Sequence, residues 1–309
     1  MELDYKLKGL FCLWDYIYPP MIFEENIWKY RCEVLEKDFK INTKWSKFTD
    51  NFNVEFGGNI VNLEKHVENV LSEIKKSLIS NKKFEKVILQ KPSPNITNII
   101  EKQESLWIGH TYLSIDLYRA CNQALEFKGC LNGKTWDDFL KDFTDSNLIK
   151  DSKWIRVNVI PNEDLIDFKV NFHPLLDKIL ESKHPIINKL NELKCCIVSF
   201  KDDELVYDIT GHEDEFSQIS EKVLYCINGI YVHIKQWKFD SMLYEIGSTI
   251  KTLGIHKSTQ SNVQSYTGVR GNIYFQQAFC AYNGLTPHWS DSLYPLEDGY
   301  GKGDLINIV

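Results

Sequence analysis

The sequence predicts an α+β protein in which an antiparallel sheet carries helices on one face and is preceded by a mainly helical region. Three observations predict it. The first hundred residues place apolar side chains at helical spacing. The stretch KPSPNITN, residues 91–98, is the sharpest punctuation in the chain, with two prolines in four residues. Beyond it, short apolar runs alternate with turn residues and brief helical segments. Three regions follow: a mainly helical 1–98, a core over 99–245, and a C-terminal extension over 246–309 packed on that core.

In the first region, Leu63, Val67, Val70, Leu71 and Ile74 mark one helix face, with Asn62 as its expected cap. After the break, Tyr112 to Ile115 reads as a strand that passes at once into a helix near Tyr118. TWDDFLKDFTDSNLIKDSKWIRVNVI reads as two short helices, the first capped by Thr135 with Asp138 three residues on. HPLLDKILESKHPIINKLNELK is a helix interrupted near Pro185. CCIVSFKDDELVYDI gives two strands around a tight acidic turn, the first expected to be buried on both faces. DEFSQISEKVLYCING reads as a helix ended by Gly229. IYVHIKQWKF alternates as a strand, with Ile230, Val232 and Ile234 on one face. The last sixty residues offer a short strand, NIYF, a helix, QQAFCAYNG, and a loosely ordered Gly-rich tail.

Composition narrows the class. A hydrophobic fraction of 43% and an aromatic fraction of 13% supply a core and exclude global disorder. The net charge of -7 means that any nucleic-acid partner is held by a local basic patch. Only four residues are arginines, Arg31, Arg119, Arg156 and Arg270. Abundant Lys, Asn and Ile beside so few Arg points to an AT-rich genome, as in many phages, large viruses or parasites. It also singles out each arginine, since lysine does not reproduce a bidentate guanidinium. The eight cysteines form no CxxC pair and read as small hydrophobes in a reducing, cytoplasmic setting. The first twenty residues lack the basic start and long apolar run of a secretory leader, and no apolar run suits a membrane span.

The candidate chemistry lies in two places. Asp116 ends the strand YLSI before a helix, and Asp203 with Glu204 lies in the turn between IVSF and LVYDI. Two-metal phosphoryl transfer needs carboxylates at neighbouring strand ends that can bridge ions roughly 3.5–4 Å apart. Mg²⁺ suits such a site, because it takes a few carboxylates and completes its shell with phosphate oxygens. The same residues also fit a helix cap and a polar hairpin turn. The aromatic residues Tyr274, Phe275, Phe279, Tyr282 and Trp289 fit a core as well as a base-stacking surface.

The order of these motifs resembles the palm and fingers of family A DNA polymerases over about residues 105–240. YLSIDLYRACNQAL looks like motif A of that family, and VSFKDDELVYDI is similar to its motif C hairpin. SKWIRVNVI stands where the family has its basic fingers helix. The resemblance implies a nucleotidyltransferase that binds Mg²⁺ or Mn²⁺ through Asp116 and Asp203, with Glu204 as an auxiliary carboxylate. It implies that Arg119, Lys153 and Arg156 hold a nucleoside triphosphate, with a nucleic acid as acceptor. Three departures stand out. Cys121 occupies the motif A glutamate position, Asp202 replaces the motif C histidine, and VNVIPN stands in place of the fingers-helix ending. An inactive palm that serves as a binding protein, with the N-terminal helices as a protein-partner surface, is the alternative.

Overall fold

The computed structural model describes residues 2–14, 20–87, 106–159, 172–201, 203–246, 249–261, 264–268, 275–296, 299–303 and 307–308. The N-terminal region is helical: α1 (Glu2–Trp14), α2 (Glu25–Phe39), α3 (Ile41–Phe56), α4 (Ile60–Ile79) and α5 (Lys82–Val87). In α4, Leu63, Val67, Val70 and Ile74 of the expected stripe are buried, Leu71 is half-buried, and Leu78 extends the buried face. Its cap is Asn59 rather than Asn62. The Asn59 side chain accepts from the amides of Val61 and Asn62 at 3.0 and 3.2 Å. Asn62 lies inside the first turn, because Ile60 is already part of the buried face.

The core follows with β1 (Thr111–Leu117) and α6 (Ala120–Phe127). Three short helices come next, α7 (Trp136–Leu140), α8 (Asn147–Asp151) and α9 (Lys153–Asn158), where the sequence suggested two. The extra break has a local cause: Ser146 caps α8 and Ser152 caps α9, each through its own hydroxyl. Thr135 caps α7 as expected. Helices α10 (His173–Leu180) and α11 (Pro185–Glu192) are separated at Pro185, again as expected.

The strands β2 (Ile197–Lys201) and β3 (Glu204–Asp208) form the acidic hairpin. β4 (Leu224–Ile227) and the long β5 (Ile230–Ile246) form a second hairpin, followed by β6 (Thr249–Ser258) and β7 (Gln264–Thr267). The helix expected over DEFSQISEKVLYCING is therefore a single 3-10 turn, Glu213–Phe216, and then β4. Asn228 and Gly229 carry φ values of 52° and 82°, the two positive angles of a type I′ hairpin turn between the paired Ile227 and Ile230. Helix α12 (Phe275–Tyr282) matches the expected QQAFCAYNG helix, whereas most of NIYF lies outside the described residues. In the Gly-rich tail, β8 (Leu293–Leu296) pairs with β9 (Gly299–Lys302), and β10 (Asn307–Ile308) joins β5.

The main sheet is antiparallel, in the order β2-β3-β1-β5-β6-β7. β5 carries β1 and β10 along one edge and β4 and β6 along the other. β1 lies in the middle, paired with β3 and β5. Its Leu113, Ile115 and Leu117 are buried in one cluster with Leu63, Val70 and Ile74 of α4, Ala124 of α6 and Leu176 of α10. The sheet and the N-terminal helices thus share a core. Tyr112 faces the other way, into a small cluster with Val198, Val206 and Trp237. β2 is an edge strand: Val198 is buried, but Ile197 and Ser199 are only half-buried, so it is not covered on both faces. A second cluster joins Phe11, Trp28 and Cys32 to Leu253, Ile255 and Phe279, so the C-terminal elements pack on α1 and α2. No helix among the described residues is long and apolar enough to cross a membrane.

The helical region is also tied to the core by polar contacts. Glu55 of α3 accepts from the Ser146 hydroxyl and from the amides of Asn147 at 3.0 Å and Leu148 at 3.4 Å. It thereby supplies a carboxylate to the N-terminus of α8, where the orphan amides and the dipole both favour one. Lys47 of α3 pairs with Asp151 at 2.9 Å, and His66 of α4 meets Thr144 at 2.9 Å. Replacing Glu55 with Ala should lower the unfolding free energy by about 1–2 kcal/mol, the scale of a lost helix cap. Urea denaturation of the two proteins measures it.

Candidate functional site

β1 delivers Asp116 to the end of the central strand. Strand alternation sends successive side chains to opposite faces: Ile115 and Leu117 go into the core, while Ser114 and Asp116 face the other side. Across the sheet Asp116 stands opposite Glu204 of β3 and His233 of β5. The backbone of the acidic turn is fixed to the same place, since the Leu117 amide donates to the Asp203 carbonyl at 3.0 Å.

The turn after β1 is held by Gln123 of α6. Its side-chain amide donates to the carbonyls of Tyr118 and Tyr231, and its oxygen accepts from the Tyr231 amide at 2.7 Å. This clamp lets Arg119 take the left-handed conformation, φ 50° and ψ 52°, which is uncommon for a residue with a side chain. Arg119 then lies over the Tyr118 ring and donates to Asp137 at 2.7 Å.

Helix α9 approaches from the other side. Ile155 is fully buried and pins it, while Lys153 and Arg156, three residues apart, share a face. The Arg156 guanidinium donates to the carbonyls of Asp151 at 3.0 Å and Lys150 at 3.5 Å, at the end of α8. The nearby acids pair elsewhere: Asp142 with Lys134, Asp145 with Lys150 and Asp151 with Lys47. Burial, and next the neighbouring Arg119 guanidinium, hold the Arg156 pKa below its ordinary value.

These elements enclose a cleft of about 530 Å³. Its walls include Asp116, Asp203, Arg119, Lys153 and Arg156, five of the six residues singled out in the sequence. Glu204 instead lines a separate hollow of about 400 Å³ on the open face of the sheet, together with Lys235 and Trp237. Lys235 lies between the two, its Nζ 3.5 Å from Asp116 Oδ2. That distance is beyond a normal hydrogen bond, so the contact is a loose ion pair. Among the described residues no group of three His, Cys, Asp or Glu side chains is placed to hold a metal ion.

The cleft holds two further residues that the motifs do not mark. His233 lines it beside Asp116, and burial, with Lys235 next, lowers its pKa. Both influences favour the neutral imidazole. A signal for it exists in the sequence, because the alternation that puts Val232 and Ile234 inside also puts His233 and Lys235 together on the opposite face. Asn122 is 2% exposed and lines the cleft, and neither amide atom of its side chain has a hydrogen-bond partner among the described residues. It lies within YLSIDLYRACNQAL, but the motif assigns it no role. Comparison with family models, with curated proteins and with solved structures finds no match to this chain.

Gln123→Leu should cost about 1–3 kcal/mol of stability, since it strands buried backbone groups at the turn that presents Asp116 and Arg119. Thermal and urea unfolding test this. A change of under a few tenths would show that the clamp does not hold the turn.

Proposed function

We propose that the chain is a metal-dependent nucleotidyltransferase with a polymerase-like palm, which adds nucleotides to a nucleic-acid or other hydroxyl acceptor. The observation that carries this reading is the cleft. Carboxylates from β1 and from the β2–β3 turn meet cations from the β1–α6 turn and from α9 in one hollow, although they lie far apart in sequence. Separated patches of opposite charge in one concave site suit a substrate that is both an electrophile and a polyanion.

Asp116 and Asp203 are the residues that would hold Mg²⁺ or Mn²⁺. Two carboxylates are fewer than a full protein cage, which suits an ion that takes its other ligands from phosphate and water. Such an ion supplies activation of the attacking hydroxyl and stabilisation of the leaving pyrophosphate. Arg119, Lys153 and Arg156 bind the triphosphate. Both guanidiniums line the same cleft, where an anion between them gains from each. Glu204, opposite Asp116, keeps negative charge at the strand end. A neutral His233 beside Asp116 is suited to accept a proton from the attacking hydroxyl.

The second reading is an inactive palm that serves as a binding or interaction protein. The contact favouring it is Lys235, which already gives Asp116 a counter-ion without any metal.

Asp116→Asn and Asp203→Asn should each abolish Mg²⁺- or Mn²⁺-dependent nucleotide incorporation without loss of fold, as read by primer extension and circular dichroism. Wild-type incorporation by either variant removes that residue from the site. No incorporation by the parent chain with any acceptor turns the case to the binding protein. Arg156→Lys keeps the charge but loses the planar fork, and should weaken nucleoside triphosphate binding by about 1–3 kcal/mol. Titration at one salt concentration measures it.

A further inference from the structure

The cleft does not end at α9. Lys153 and Arg156 also form part of the wall of a second cavity, about 330 Å³, between α1, α3 and the α8–α9 corner. Its remaining walls are of two kinds. One is aromatic, with Phe11 and Trp14 of α1 and Phe48 of α3. The other is polar, with Lys44, Lys47 and Asn51 of α3 beside Asp151. The cations outnumber the acids, and the single acid, Asp151, is already paired with Lys47.

The rings form a built wall. Phe48 meets Phe11 at 5.5 Å and Trp14 at 5.8 Å, both edge-on, and stacks on Trp45 at 5.9 Å. Phe48 itself is only half-buried. The cavity therefore combines an aromatic face, a neutral amide and a cationic rim shared with the cleft.

We infer that this cavity is the nucleoside pocket, in which Phe48 packs against the base and Asn51 bonds its edge. The inference rests on the nucleotidyltransferase reading and extends it. Phosphates on Lys153 and Arg156 lie at the wall common to both cavities. A nucleotide held there directs its phosphates toward Arg119, Asp116 and Asp203, and its base toward α1 and α3. The N-terminal helices then belong to the substrate site, and the chain itself reads the base.

Calorimetric titration of the full chain in Mg²⁺ buffer tests this, with ATP, GTP, CTP and UTP against inorganic triphosphate. At least one nucleotide should bind about tenfold more tightly than inorganic triphosphate, on the scale of a stacked base. Phe48→Ala and Asn51→Ala should each remove most of that preference and leave inorganic triphosphate binding unchanged. Asn51→Ala changes a half-buried polar residue, so it answers the question if Phe48→Ala unfolds. Equal affinity for nucleotides and inorganic triphosphate, or an undiminished preference in Asn51→Ala, would overturn the nucleoside pocket and leave the phosphate cleft standing. No binding of either ligand would remove the nucleotidyltransferase reading, and the inference with it.

Discussion

The register of β1 between β3 and β5 is the constraint on which the rest depends. Leu113, Ile115 and Leu117 must face the helices, so Ser114 and Asp116 must face away. A slip of one residue would bury Asp116 in the core and expose three aliphatic side chains. The hydrophobic pattern that folds the sheet therefore also places the carboxylate. The same register puts Glu204 and His233 on either side of it, and the adjoining amide of Leu117 anchors the acidic turn. The helices act in a complementary way. α6 closes the turn through Gln123, and α9 is pinned by Ile155 with its cations turned to the cleft.

The charges of the site are not arranged for stability. Asp116 and Glu204 are directly opposed across two strands, a pairing that costs free energy in a sheet. Arg119 and Arg156 disfavour each other, and Asn122 buries an amide without partners among the described residues. Asn122 departs from the usual rule that buried polar groups are matched. Asp116, Arg119, Arg156 and Asn122 all line the one cleft, and strained electrostatics gathered in a concave site are a mark of functional sites.

Much of this is legible in the sequence, for identifiable reasons. β1, the acidic hairpin and the helices parted at Pro185 are short-range patterns, and the structure follows them. The α+β class follows from their order. β4 resembles a helix in sequence because Phe216, Ile219, Val223 and Leu224 fall at nearly helical spacing. Pairing with β5 overrides that spacing, and Asn228-Gly229 is a hairpin turn rather than a helix end. β6 and the far half of β5 carry little local signal because their partners are each other, and polar residues interrupt the alternation. At the site, residue types at strand ends point to Asp116 and Asp203. The side chains that depend on packing between distant helices, Asn122 and the α3 residues near α9, carry no local mark.

Strand β5 has a further consequence. At 17 residues it is about 55 Å long, and it takes part in both large cores through Val232 and Ile234 at one end and Tyr244 at the other. β6 pairs with its far half from Trp237 to Ile246 on one edge, and β10 pairs with Tyr244 and Glu245 on the other. A shortened chain ending near residue 246 would leave that half as a bare ribbon with open hydrogen-bonding groups on two sides. Such ribbons recruit other chains. Expression of a chain cut there would then yield aggregates, while a version that retains the C-terminal strands would remain separate molecules.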